Sequence, residues 1–149
     1  MRPAPQAKTR DPFALSHGFT LLELLIILAV VAVLTAIAIP SYRDYVLRSG
    51  RSEALTALKD LSRLEEDYRS NQLAYTGTLS VLNYPTVTPN GLYQLQISTS
   101  TTTRYTLQAT AIGSQLADKT CRTFTLTGMG EETAVDSGGS DSGHQCWKR

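Results

Sequence analysis

From Leu24 to Ile39 every residue is Leu, Ile, Val or Ala except Thr35, so no side of this stretch is polar. Counted from Phe19, the run is long enough to cross a hydrocarbon core of ~30 Å as one helix. Beyond Pro40 the pattern becomes one-sided. Tyr42, Tyr45 and Val46 share a face, and Leu55, Leu58, Leu61, Leu64 and Tyr68 continue a stripe at spacings of three or four. Arg51, Glu53, Lys59, Asp60, Arg63, Glu65, Glu66 and Arg69 cover the other positions. The periodicity predicts helix from Phe19 to about Asn71, roughly 80 Å if unbroken. Pro40 removes one backbone N–H and crowds the carbonyl four residues earlier, which predicts a kink or local loosening; the other reading is a proline that ends a membrane helix. Gly50 costs a helix near 1 kcal/mol relative to Ala and marks a second candidate bend.

The helical pattern stops after Asn71. Gly77, Pro85, Pro89, Asn90 and Gly91 punctuate a connecting loop, with room for a short helix or strand near Leu79 to Tyr84. Strand alternation then appears three times. Tyr93, Leu95 and Ile97 alternate with Gln94, Gln96 and Ser98; Tyr105, Leu107, Ala109 and Ala111 alternate with Thr106, Gln108 and Thr110. In the third, Cys121, Thr123, Thr125 and Thr127 alternate with Arg122, Phe124 and Leu126. The apolar side of each strand is expected to pack on the Leu stripe. Ser98–Thr103 reads as an exposed turn, Gly113–Thr120 as a connection, and the polar Gly128–Gly143 stretch as a solvated loop.

Composition changes this picture in two places. Lys and Arg total 14 against 13 Asp and Glu, and beyond Tyr68 the basic residues are scattered (Arg69, Arg104, Lys119, Arg122, Lys148, Arg149). No basic run announces a nucleic acid, so a DNA partner stays open without support from charge. Cys121 and Cys146 lie beyond the apolar run, and an even pair in a small exported domain reads as a disulfide, worth roughly 3.5 kcal/mol in the chain-entropy model. A metal held by Cys121, His144 and Cys146 is the alternative, short of a fourth ligand. Asp136 and Asp141, with Asp118 farther off, miss the spacing of a calcium loop. No catalytic set, phosphate loop or metalloprotease pair is present in the sequence, and no cofactor is called for.

One carboxylate, Glu23, sits inside the apolar run, where it opposes membrane insertion by roughly 2.5–3.5 kcal/mol and calls for a partner. Thr20-Leu21-Leu22-Glu23 also fits a capping box, in which Thr and Glu satisfy N–H groups at a helix start. Before it, Met1 to Gly18 carries Arg2, Lys8 and Arg10 with Pro3 and Pro5 and no apolar period, which suits a removable leader. A secretory signal would be cut after its apolar run; here the run comes after the leader. Arg43, Arg48 and Arg51 after the span balance the three basic residues before it, so charge leaves the topology undecided.

Gly18-Phe19-Thr20-Leu21-Leu22-Glu23, its basic leader and Pro40 at the end of the span resemble the N-terminus of type IV pilins. The resemblance implies cleavage by a prepilin peptidase after Gly18 and N-methylation of Phe19. It also implies pairing of Glu23 with the terminal amine of a neighbouring subunit, and a helix that bends or melts near Pro40 in filaments. The implied fold is α+β: a long N-terminal helix packed on a small antiparallel sheet with a C-terminal disulfide-bounded loop. Its divisions are the leader 1–18, the membrane and filament-core helix 19–39, the amphipathic helix 40–72, the connecting loop 73–91 and the sheet head 92–149, with disulfide loop 121–146.

Tyr105-Thr-Leu-Gln-Ala-Thr-Ala, Asp118-Lys-Thr-Cys121, Thr125-Leu-Thr-Gly128 and Cys146-Trp147 resemble, more loosely, the PilE/ComP group of minor pilins. This second resemblance implies a minor subunit of a type IV pilus, held first as a single-pass inner-membrane precursor with its C-terminal part outside the cytoplasm, then in the extracellular filament. Adhesion, twitching motility or DNA uptake would be its settings. Its partners would be other pilin subunits, the prepilin peptidase, the inner membrane and the assembly machinery. A type II secretion pseudopilin and a DNA-uptake receptor pilin are the alternatives. DNA-binding members of the group use an electropositive face and an additional disulfide, neither of which the sequence displays.

Overall fold

The computed structural model describes residues 19–148, so the leader and Gly18 lie outside the described residues. Helix α1 runs Leu21–Gln72, followed by strands β1 (Tyr93–Ser100), β2 (Tyr105–Ala111), β3 (Thr123–Thr127) and β4 (Glu132–Val135), then a short helix α2 (Gly143–Cys146). Two compact units meet in the sequence between Pro40 and Ser41, and each has its own character.

In the first unit, α1 is apolar all round and every described side chain is exposed. Between Leu24 and Ile39 the one polar side chain, Thr35, donates its hydroxyl to the carbonyls of Val31 and Ala32 at 2.9 and 3.0 Å, so its proton is used within the helix. Pro40 stands inside the helix rather than at its end, which removes the reading of a terminating proline.

The second unit is α1 from Ser41 onward with a four-stranded antiparallel sheet in the order β1-β2-β3-β4. Its core joins Ala54, Leu55, Ala57, Leu58 and Leu61 of α1 to Tyr93, Leu95, Leu107, Ala109, Phe124 and Leu126 of the sheet. The strand alternation read from the sequence therefore points the expected residues inward. Leu58 and Leu61 are fully buried, and truncating either to Ala would cost roughly 2–5 kcal/mol. Tyr93 and Trp147 each meet Phe124 edge-on with ring centres 5.8 Å apart, so the aromatic core reaches the C-terminus. Trp147 Nε1 donates to the Thr133 carbonyl at 2.8 Å, which orients the ring.

Three expectations need correction. The buried stripe ends at Glu65, not at Leu64 and Tyr68, which are half-buried; continuing from Leu61 by four residues keeps the same face toward the sheet. Gly50 lies within α1 and is buried. The Gly128–Gly143 stretch is not all loop, because β4 pairs with β3 from Thr123↔Val135 to Leu126↔Glu132. Ser98–Ser100 is strand rather than turn: a register shift between Ile97 and Thr99 lets β1 continue, and the turn is closed by Thr101 Oγ1 accepting the N–H groups of Thr103 and Arg104. Between Leu79 and Tyr84 the chain makes successive tight turns, with the Leu79 carbonyl accepting the N–H groups of Leu82 and Tyr84.

Candidate assembly site

At the start of α1, Thr20 Oγ1 accepts the Glu23 N–H at 3.2 Å, and the Thr20 carbonyl accepts the Leu24 N–H. Thr20 thus caps the helix, half of the capping box. Among the described residues, no hydrogen bond or ion pair reaches the Glu23 carboxylate. Phe19 and the apolar side chains from Leu21 to Ile39 surround it, all exposed. A patch of this extent is far larger than a soluble monomer leaves to water and marks a membrane or protein contact.

The second unit has a polar hub where α1 meets the chain before Cys121. Arg51 Nε donates to Asp118 Oδ2 at 2.7 Å and its Nη2 to Oδ1 at 3.0 Å. Asp118, only 2 % exposed, also accepts the N–H groups of Thr120 and Cys121, each at 3.1 Å. Such a carboxylate needs several donors to offset its lost hydration, and here it has them. Beside it the 3-10 turn Gly113–Ala117 carries Gln115, whose Nε2 donates to the Leu47 carbonyl at 3.0 Å. An added Cβ at Gly50 would lie 2.5 Å from Gln115 Oε1, so any other residue there would force this amide to shift from its place.

Cys121 and Cys146 are joined, with Cα atoms 5.7 Å apart, which removes the alternative of a metal bound through them. The bridge brings α2 and the chain end back against α1. There Tyr45, Arg48, Arg51, Ser52, Gln145 and Lys148 line a groove of about 750 Å³. Arg48 and Lys148 carry no salt bridge among the described residues. The cations are drawn from α1 and the chain end, so no run in the sequence shows them together.

At the far end of the helix packing, Glu65 is fully buried. Its Oε2 accepts the Thr76 N–H at 3.0 Å, while Oε1 has no partner within the protein. Burial raises its pKa above the ordinary 4.5, the Thr76 N–H pulls it back, and neighbouring Glu66 adds to the rise. Tyr93 is likewise pushed up, chiefly by burial and then by Asp118.

Residues 40–125, more than half of the chain, match the family described as type IV minor pilin ComP, DNA uptake sequence receptor. Residues 14–39 match the prokaryotic N-terminal methylation motif. The fimbrial protein EcpC of Eikenella corrodens is 44 % identical over 55 residues, 37 % of this chain and 36 % of that protein. The type IV major pilin protein PilE of Neisseria gonorrhoeae is 40 % identical over 57 residues, 38 % and 34 % of the two chains. The type IV major pilin protein PilA of Myxococcus xanthus is 41 % identical over 61 residues, 41 % and 28 % of the two. The chain spans about a third of the length of the relatives it matches.

Proposed function

The chain belongs to the type IV minor pilin ComP family, and from that premise we propose that it enters a pilus filament through residues 19–39, with Glu23 selecting the neighbour. On this reading a prepilin peptidase cuts after Gly18, Phe19 is methylated, and its amine meets Glu23 of an adjacent subunit. The observation that carries it is an apolar helix face with no cover and a carboxylate with no partner among the described residues. In an apolar filament core the attraction to an ammonium is little screened, and an unpaired carboxylate would cost several kcal/mol. The disulfide supports placement of the second unit outside the cytoplasm. The role is structural rather than catalytic, with other pilin subunits and the assembly machinery as partners.

Replacing Glu23 by Val tests this. The insertion penalty falls, so membrane level and processing should hold while the amount recovered in sheared pili collapses. A cap is a weaker matter: Thr20 already supplies it, and its loss costs ~1 kcal/mol. Normal recovery of Glu23→Val protein in pili would refute the proposal. Recovery of the wild type in a secretion pseudopilus and not in pili would move the same helix chemistry to the alternative machine.

A second reading, a DNA receptor on the filament, is supported by the description of the matched family and by the groove holding Arg48, Arg51 and Lys148. Duplex DNA titrated against the detergent-solubilised full chain should then bind with an affinity that falls steeply with salt, about 0.9 log units per log of salt for each phosphate contacted. Arg48→Ala should flatten that slope. Absence of binding at low salt would leave only the structural role.

A further inference from the structure

From Ser41 to Ser49 every residue of α1 is exposed except the half-buried Leu47, and the first buried position is Gly50. This stretch comes directly after Pro40, which withholds a helix hydrogen bond from the carbonyl four residues before it. Helical stability in proteins comes mostly from tertiary packing, so a helix supported only by its own bonds opens easily. Support then arrives at one place. Gln115 Nε2 reaches the Leu47 carbonyl, its Oε1 lies over Gly50, and Arg51 takes Asp118 one residue later.

Glycine weakens a helix, and Gln is a costly side chain to bury, yet here Gln115 is only 2 % exposed. The two features answer each other. The missing Cβ opens the helix surface, and the buried amide uses the opening to bond a helix carbonyl from the side. We propose that the Gly50–Gln115 contact, with Arg51–Asp118 beside it, is a clip that fixes where loosening of α1 stops. Residues 41–46 open and close as helix on their own; from Leu47 onward the helix moves with the sheet. The clip is made by the turn Gly113–Ala117, so the stopping point is set by a side chain some 68 residues away rather than by local propensity.

Hydrogen exchange by mass spectrometry on the full chain in detergent micelles reads this directly. In the wild type, amides of 43–46 should exchange fast and those from Arg51 slowly. Gln115→Met keeps bulk and removes the donor; Gly50→Ala pushes a methyl into Gln115. In both, fast exchange should spread through Leu55 with rates about tenfold higher, the worth of one or two net hydrogen bonds. Leu58–Leu61 and β2 should keep wild-type protection. Uniform protection from Ser41 to Leu61 in the wild type would overturn the proposal before any variant is made. An unmoved boundary in both variants would also overturn it. Loss of protection in β2 along with α1 would do the same, since Gln115 would then belong to the global core.

Discussion

Arg51 and Asp118 stand 67 positions apart and meet in a two-point ion pair, Nε to Oδ2 at 2.7 Å and Nη2 to Oδ1 at 3.0 Å. The pair is unequal. Arg51 keeps 17 % of its side chain in solvent, while Asp118 keeps 2 % and also holds the backbone just before the disulfide. Removing Asp118 strands two Arg51 donors, the N–H groups of Thr120 and Cys121 and the Gln115 amide; removing Arg51 leaves Asp118 the two backbone N–H groups and Gln115 Nε2. Asp118→Ala should therefore destabilise the second unit by about 3 kcal/mol and Arg51→Ala by less. Urea unfolding of the full chain in detergent, followed by Trp147 fluorescence, gives both values. A double-mutant cycle with no coupling would show that the pair does not hold the helix to this turn.

The disulfide closes a sequence separation of 25 residues, for which chain entropy predicts about 3.5 kcal/mol. Its second cysteine ends α2, and Trp147 comes next in the chain, directly against Phe124. Replacing both cysteines by Ser should lower stability by that order. It should also shift Trp147 emission to the red below the unfolding transition, as the chain end comes away. Unchanged emission would mean that Phe124 and the Thr133 carbonyl hold Trp147 unaided.

Much of this architecture is legible in the residues. The apolar run, the Leu55–Leu58–Leu61 stripe and the strands at Tyr93, Tyr105 and Thr123 follow periods that packing enforces. β4 is not legible: four residues, Glu132 to Val135, among Gly, Ser and acidic neighbours, become a strand only because β3 offers them an edge. Glu65 is illegible for a similar reason, since its type says surface and only the chain returning at Thr76 gives its carboxylate a donor. Gly50 shows its meaning once Gln115 is placed. The groove cations come from separate elements, so composition and runs say nothing of them. Local pattern carries the elements; pairs remote in sequence carry the polar contacts.

Glu65 makes stability depend on pH with a definite sign. Its native pKa lies above 4.5, so between 4.5 and that raised value the folded state binds more proton than the unfolded state. Stability therefore falls as pH rises through this window and is flat with respect to Glu65 beyond it. Gln at position 65 cannot ionise, and its carbonyl still accepts from Thr76. Comparing wild type and Glu65→Gln by urea unfolding at stepped pH should show the downward slope only in the wild type. A slope that persists in the variant would assign it to another group.

A cut after Gly18 leaves a chain whose first residue, Phe19, is succeeded at once by the Thr20 cap and the uncovered helix. The new amine then lies in sequence four residues from Glu23, near the helix start, where the dipole disfavours a cation. On the proposed reading a neighbour's carboxylate is the partner, and cleavage creates the charge that assembly pairs. Intact-mass spectrometry of subunits from sheared filaments should give a chain starting at Phe19 with one added methyl group. A mass that begins at Met1, or beyond Ile39, would defeat this: the first leaves the leader in place, and the second discards the helix that the filament requires.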